Sequence, residues 1–207
     1  MTNLQDLLLS ELRDLYHAES QLVKALPRMA KAASNPDLRE AYKNHAETTK
    51  MQVERLRQVF EQMGQKAKGQ PCEGMQGLIQ EGEERMQEAE GALKDVGMLG
   101  ASERIEQYEI SGYESAIMIA RMMGLNQVAD LLQETLREEE QTAKRLHSFA
   151  KPILKEATRG AAQPQMERAR GQARQRPSRA AERQPVARTQ AGGPQAGRSN
   201  SSRKAGR

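Results

Sequence analysis

The stretch "RIEQYEISGYESA", residues 104–116, puts a carboxylate where core should be. On a helix, Ile105, Glu109, Gly112, Ala116 and, just beyond, Ile119 share one stripe, and every member but Glu109 is apolar or tiny. The anomaly recurs along the chain. Glu19 interrupts a stripe of Leu4, Leu7, Leu8, Leu12, Leu15, Leu22, Leu26 and Met29. His45 sits among Leu38, Tyr42, Thr49, Gln52, Leu56 and Val59, and Glu139 among Val128, Leu131 or Leu132, Thr135, Leu136, Ala143 and Leu146. An unpartnered buried carboxylate is costly or surrenders its charge, and several facing one another are worse unless a cation sits between them. Carboxylate oxygens with an imidazole suit iron, manganese or zinc. Taken singly, each position has a plainer reading. A Glu on an amphipathic stripe is ordinarily a boundary residue reaching water, an inward His is ordinarily hydrogen-bonded core, and a run such as "REEEQ" (137–141) is ordinarily a solvated face. Joint occurrence near the middle of four helices favours a site.

Those helices follow from composition and punctuation. Aromatics are 3% of the chain, and helix formers (Leu, Met, Ala, Glu, Gln, Lys, Arg) dominate, which predicts an all-α fold. Asn3 is placed to cap a first helix, with Pro27 predicting a kink within it. "SNPD" (34–37) breaks the chain and starts a second helix at Pro36, ended by Gly64. After a Gly- and Pro-rich loop, "MQGLIQEGEERMQEAEGAL" reads as one or two short crossover helices. Asp95 is expected to cap a third long helix from about Val96 to Met123, and a fourth runs from Asn126 to about Glu156, with Pro152 bending its last turns. Tight turns pair the long helices, and the long connection in the middle suits crossing the length of a bundle. The expected architecture is therefore a ferritin-like antiparallel four-helix bundle with one long crossover containing short helices.

The net charge of +4 hides a division. Residues 158–207 hold twelve Lys and Arg against two acids, or +10, leaving twenty against twenty-six, or −6, for the rest. This tail is rich in Gly, Pro, Gln, Ser and Arg and lacks Leu, Ile and aromatics, so disorder is expected there. Two units follow: a bundle over 1–157 and a basic tail over 158–207. The single cysteine, Cys72, excludes an intrachain disulfide and a cysteine metal cluster. No apolar run reaches the roughly 20 residues of a membrane span. The opening residues meet acids early and lack the apolar core of a secretory signal, so a cytoplasmic location is expected.

"LRDLYHAESQLVKALPRMAKAA", "HAETTKMQVERLRQVF", "MQGLIQEGEE", "RIEQYEISGYESAIMIARMMG" and "LLQETLREEEQTAKRL" together resemble the YciE/YciF-like ferritin-like family over residues 3–157. The resemblance implies a small, dimeric, stress-associated cytosolic protein with a di-metal carboxylate centre and ferroxidase activity. Matched by motif, Glu19 of "YHAESQ", His45 of "HAETTKMQ", Glu106 and Glu109 of "EQYEI", and Glu139 of "LREEE" become the metal ligands. Two positions depart from the family pattern. Thr48 stands where a Glu is common, and Ala143 stands where an Asp is common. Neither Glu-x-x-His pair of the usual di-iron pattern is present. His147 lies two turns from Glu139 and His17 flanks Glu19 on another face, so a mononuclear or vacant site stands as the alternative to a di-metal one.

Two functions follow. The first is a metal-binding oxidoreductase that carries iron or manganese at the five residues and oxidises Fe(II) or removes peroxide. In it, Gln52 or Thr49 is expected to orient the His45 ring, and Tyr108 or Tyr113 to pack or to bond a ligand. The second is a non-catalytic, dimeric stress or nucleoid-associated protein. Its tail, through Arg168, Arg170, Arg174, Arg176, Arg179 and Arg183, would bind DNA or RNA by charge without base readout.

Overall fold

The computed structural model describes the backbone of residues 2–174 and the side chains of residues 2–160. Five helices follow in order: α1 (Leu4–Ala32), α2 (Pro36–Gln62), α3 (Glu73–Glu88), α4 (Gly91–Met122) and α5 (Asn126–Arg174). No strand occurs among the described residues. The Asn3 side chain accepts from the Asp6 N–H, and Asn35 accepts from Asp37 and Leu38, so the expected caps open α1 and α2. Gly64 and Gly124 follow α2 and α4 with φ of 64° and 75°, the left-handed conformation that stops a helix. Through Pro27, α1 runs on without interruption.

Two boundaries differ from expectation. Helix α4 starts at Gly91, so Asp95 lies inside it rather than at its cap. Its buried carboxylate instead accepts the backbone N–H groups of Ser34 (2.8 Å) and Asn35 (2.7 Å), closing the α1–α2 turn. A tertiary demand for an acceptor outweighed the local one. Helix α5 continues past Glu156 to Arg174. Ala, Gln, Met, Glu and Arg in 161–174 favour helix, and extending a helix needs no new nucleus. Arg168, Arg170 and Arg174 fall on this extension, outside the described side chains; Arg176, Arg179 and Arg183 lie outside the described residues altogether.

Helices α1, α2, α5 and α4 form a ring in which neighbours pack in that order, and α3 lies outside against α1 and α4. The core shows the directions. One apolar cluster joins the start of α1 (Leu8, Leu12, Leu15), the end of α2 (Leu56, Val59, Phe60), the end of α4 (Tyr113, Ala116, Ala120) and the start of α5 (Val128, Leu132, Leu136). The other joins the opposite halves: Leu22, Leu26 and Met29; Leu38 and Tyr42; Met98 and Ile105; Leu146 and Ile153. Ring neighbours are therefore antiparallel, and the 64–90 connection with α3 carries the chain from one end of the bundle to the other. This is the ferritin-like topology. Where α4 crosses α1, a Cβ on Gly112 would lie 2.8 Å from the Leu15 Cδ2, so any larger residue would force the Leu15 side chain to shift.

Replacing Asp95 should test the turn. Asp95→Ala leaves two N–H groups without their charged acceptor and should lower unfolding free energy by about 2–3 kcal/mol. Asp95→Asn, which keeps one acceptor oxygen, should cost less. Urea denaturation reads both as a lower midpoint at unchanged slope.

Candidate metal centre

Between the two apolar clusters lies a polar layer to which each ring helix contributes. Glu19 of α1 falls between Leu15 and Leu22; His45, Thr49 and Gln52 of α2 fall between Tyr42 and Leu56. Glu106 and Glu109 of α4 fall between Ile105 and Tyr113, and Glu139 of α5 between Leu136 and Leu146. All four glutamates are 0% exposed and His45 is 6% exposed. Glu106 and Glu109 share a face because they are three residues apart.

Ligand atoms of His45, Glu106 and Glu139 converge within 4.8 Å of one another, a group that could hold a metal ion. The His45 Nδ1 is 3.7 Å from the Glu106 Oε1, and its Nε2 is 4.0 Å from the Glu139 Oε2. Both ring nitrogens lack a hydrogen-bond partner, as do both oxygens of Glu106, Glu109 and Glu139 and the Glu19 Oε2. Buried polar atoms are nearly always partnered. So many orphans in one layer, all of them hard oxygen or imidazole donors, fit a bound cation. Glu19 and Glu109 complete the layer, but they fall outside the tight three-residue group.

Burial leads the electrostatics. It pushes the Glu19, Glu106 and Glu109 carboxyls well above the usual range, and neighbouring glutamates push them further. Glu139 rises to about 7, again chiefly by burial, with the nearby Arg55 charge opposing the rise. Burial lowers His45 to about 4, so its ring is neutral near pH 7, the form that ligates metal. Its approach to the two carboxylates is thus a convergence of donors rather than an ion pair.

Several supporting groups differ from the sequence reading. Neither Gln52 nor Thr49 orients the His45 ring. The Thr49 hydroxyl donates to the His45 backbone carbonyl, and the Gln52 Nε2 donates to Glu138 at 3.1 Å. Buried Tyr113 donates to the Glu19 Oε1 at 2.6 Å, fixing that carboxylate and leaving its second oxygen free. Tyr108 turns to the crossover, where its hydroxyl donates to Asp14 at 2.7 Å and lies 3.0 Å from the Cys72 Sγ. Within "REEEQ", Glu138 is only partly solvated. Arg55 grips both of its oxygens at 2.9 Å, a contact between helices that no local pattern signals. Thr48 is half-buried and bonds its own helix, Ala143 is half-buried, and His147 is exposed and 3.0 Å from Glu103. His17 accepts from the Cys72 backbone N–H. None of these belongs to the converging group.

Fold and layer together define a four-helix carboxylate bundle of the ferritin-like type. Residues 3–159 match the family described as a domain of unknown function, DUF892, and the chain belongs to that family. Protein YciF of Escherichia coli K12 is 37% identical over 152 residues, 72% of this chain and 92% of the relative. The crystal structure of the E. coli stress protein YciF superposes with a TM-score of 0.72 at 36% identity, covering 75% of this chain and 99% of that one. YcfI from Rhodopseudomonas palustris gives 0.69 at 37% identity, covering 70% and 94%.

The raised carboxyls predict an inverted pH dependence for metal-free protein. A group whose native pKa lies above its unfolded value contributes stability that is present below the unfolded value and lost as pH rises through the native one. Four glutamates act in this sense, Glu139 between its ordinary 4.5 and about 7. His45 opposes them, losing its contribution as pH falls from 6.5 toward 4. With chelator present, the melting temperature should therefore rise as pH falls from 7 toward 5. Saturating Mn(II) should flatten or reverse the trend.

Proposed function

We propose that this chain binds iron or manganese among Glu19, His45, Glu106, Glu109 and Glu139 and is a ferroxidase-type or peroxide-removing oxidoreductase of the stress response. The observation that carries the reading is the set of unpartnered, fully buried donors from all four ring helices. His45, Glu106 and Glu139 would hold a first ion, with Glu19 and Glu109 nearby to neutralise it or to share a second. Iron held there would supply its Fe(II)/Fe(III) couple, for which dioxygen or hydrogen peroxide is the oxidant. Anionic oxygen donors favour the oxidised ion. The chain does the rest. The two apolar clusters exclude bulk water, Tyr113 keeps one Glu19 oxygen occupied so that the other faces inward, and neutral His45 offers a lone pair without first losing a proton. The carboxyls, raised by burial, release protons as a cation enters. The stress association of the E. coli relative supports the physiological setting, and the family resemblance adds a homodimer and a cytoplasmic location to the reading. Among the described residues, no helix is long and apolar enough to cross a membrane.

The test loads anaerobically purified protein with Fe(II), then measures retained metal and oxygen uptake. Wild type should retain metal and oxidise it faster than buffer. Glu106→Gln and Glu139→Gln should weaken retention by about 100-fold or more, since loss of even an outer hydrogen-bond partner costs a metal site about 10- to 100-fold, yet raise the melting temperature of metal-free protein because each removes a buried acid. No retained metal and no oxidation above buffer by wild type would sink the reading.

A second activity rests on the +10 carried by residues 158–207. That charge gives sequence-independent, salt-sensitive binding to DNA or RNA. Gel retardation should show DNA binding by the full chain at low salt that falls steeply by moderate salt. Deleting residues 158–207 should weaken it, and equal binding by both chains would remove the tail from the account.

A further inference from the structure

The centre is closed: its glutamates are 0% exposed, so an ion must cross a wall of the ring to reach them. The seam between α1 and α2 is apolar at this height: Leu15 packs in one cluster with Leu56, and Ala18 and Leu22 in the other with Ala46. Between α1 and α4, Leu15 seats on Gly112, and the crossover covers the outside. The seam between α2 and α5 is polar from the surface to the centre. Glu134 is 56% exposed, Glu138 30% and Arg55 16%, whereas Gln52 and Glu139 are 0% exposed. Acceptor oxygens thus descend from water to the site.

A cation lies across that descent. Arg55 donates to both Glu138 oxygens at 2.9 Å and to the Thr135 hydroxyl at 2.7 Å, and it lies 3.4 Å from Glu134. Beneath it, the Gln52 Nε2 donates to Glu138 at 3.1 Å, while the fully buried Gln52 Oε1 has no partner. An orphan amide oxygen is a hard donor for a passing divalent ion and otherwise a cost. A stability role alone would not require it.

We propose that the α2–α5 seam is the entry route for divalent cations to the buried carboxylates, with Glu138 and Gln52 as relay donors and Arg55 as the gate. The inference rests on the metal-binding reading above. In the closed state the guanidinium neutralises Glu138 and repels an incoming ion. Opening requires only that Arg55 swing outward toward Glu134, which trades one carboxylate for another and leaves Glu138 free to take the ion. Arg55 is a positioning residue, not a ligand.

Co(II) is the probe, because its visible absorption reports entry into a His/carboxylate site without redox chemistry. Stopped-flow mixing with metal-free full-length protein gives the association rate, and chelator chase gives dissociation. Arg55→Met should raise both rates about tenfold, the low end of what charge in a cleft does to on-rates, and change the affinity less than either rate. Glu138→Gln strands the Arg55 charge over the route and should slow association about tenfold. Glu103→Gln, on the α4–α5 seam, should match wild type. Thermal melts show that each variant is folded. Wild type that binds no Co(II) removes the underlying reading and the route with it. Wild type that binds Co(II) while Arg55→Met and Glu138→Gln load at the wild-type rate overturns the route alone, as does slowing by Glu103→Gln in place of Glu138→Gln.

Discussion

Mutual repulsion among acids held in a dry layer is the constraint around which this molecule is arranged. Glu19, Glu106, Glu109 and Glu139 are all fully buried, and each raises the pKa of at least one other or is raised by it. At an effective dielectric well below that of water, like charges a few ångströms apart repel by about 4 kcal/mol per pair. No domain with ordinary stability carries several such pairs ionised without compensation. The layer therefore holds protons or a cation, and its neighbours are chosen accordingly. Tyr113 supplies a neutral donor to Glu19, and His45 stays uncharged. Among the described residues, the strong cation nearby, Arg55, pairs with Glu138 at the edge rather than with the centre.

The fold supplies what such a layer needs. Four antiparallel helices bring their midpoints to one height, so residues far apart in sequence meet without any loop taking part. The crossover is long because it must travel the length of the bundle, and it covers the α1–α4 face while doing so. At the end of that journey Asp95 ties α4 to the α1–α2 turn through two backbone bonds. That tie fixes the axial position of Glu106 and Glu109 relative to Glu19 and His45. A shift of one turn along α4 would move its carboxylates about 5.4 Å, out of reach of their partners.

How much of this the sequence discloses depends on whether the cause is local. Glu19, His45, Glu109 and Glu139 are legible because each breaks an apolar stripe at helical spacing, and a stripe is a local record of which face is buried. Glu106 emerges only through family resemblance, since it sits beside Ile105 at the margin of the stripe through Glu109. The supporting contacts are less legible. "REEEQ" reads as a solvated run, because nothing within it tells which acid turns toward a guanidinium on another helix. Asp95 satisfies a local capping rule, yet it serves a turn 60 residues away. Thr49 and Gln52 lie on the correct face to orient His45, but one bonds its own backbone and the other bonds Glu138. Face can be read from periodicity; the choice among partners on that face is made by distances that only the packed helices set.

The division of the hydrophobic interior into two clusters has a mechanical consequence. Each long helix is anchored by packing toward its two ends and crosses, at its centre, a waist where apolar contact gives way to acids. Without a neutralising occupant, the repulsion is concentrated at mid-helix, between two well-packed ends. Whatever neutralises the waist, proton or cation, removes the strain between two half-bundles that apolar packing alone does not join.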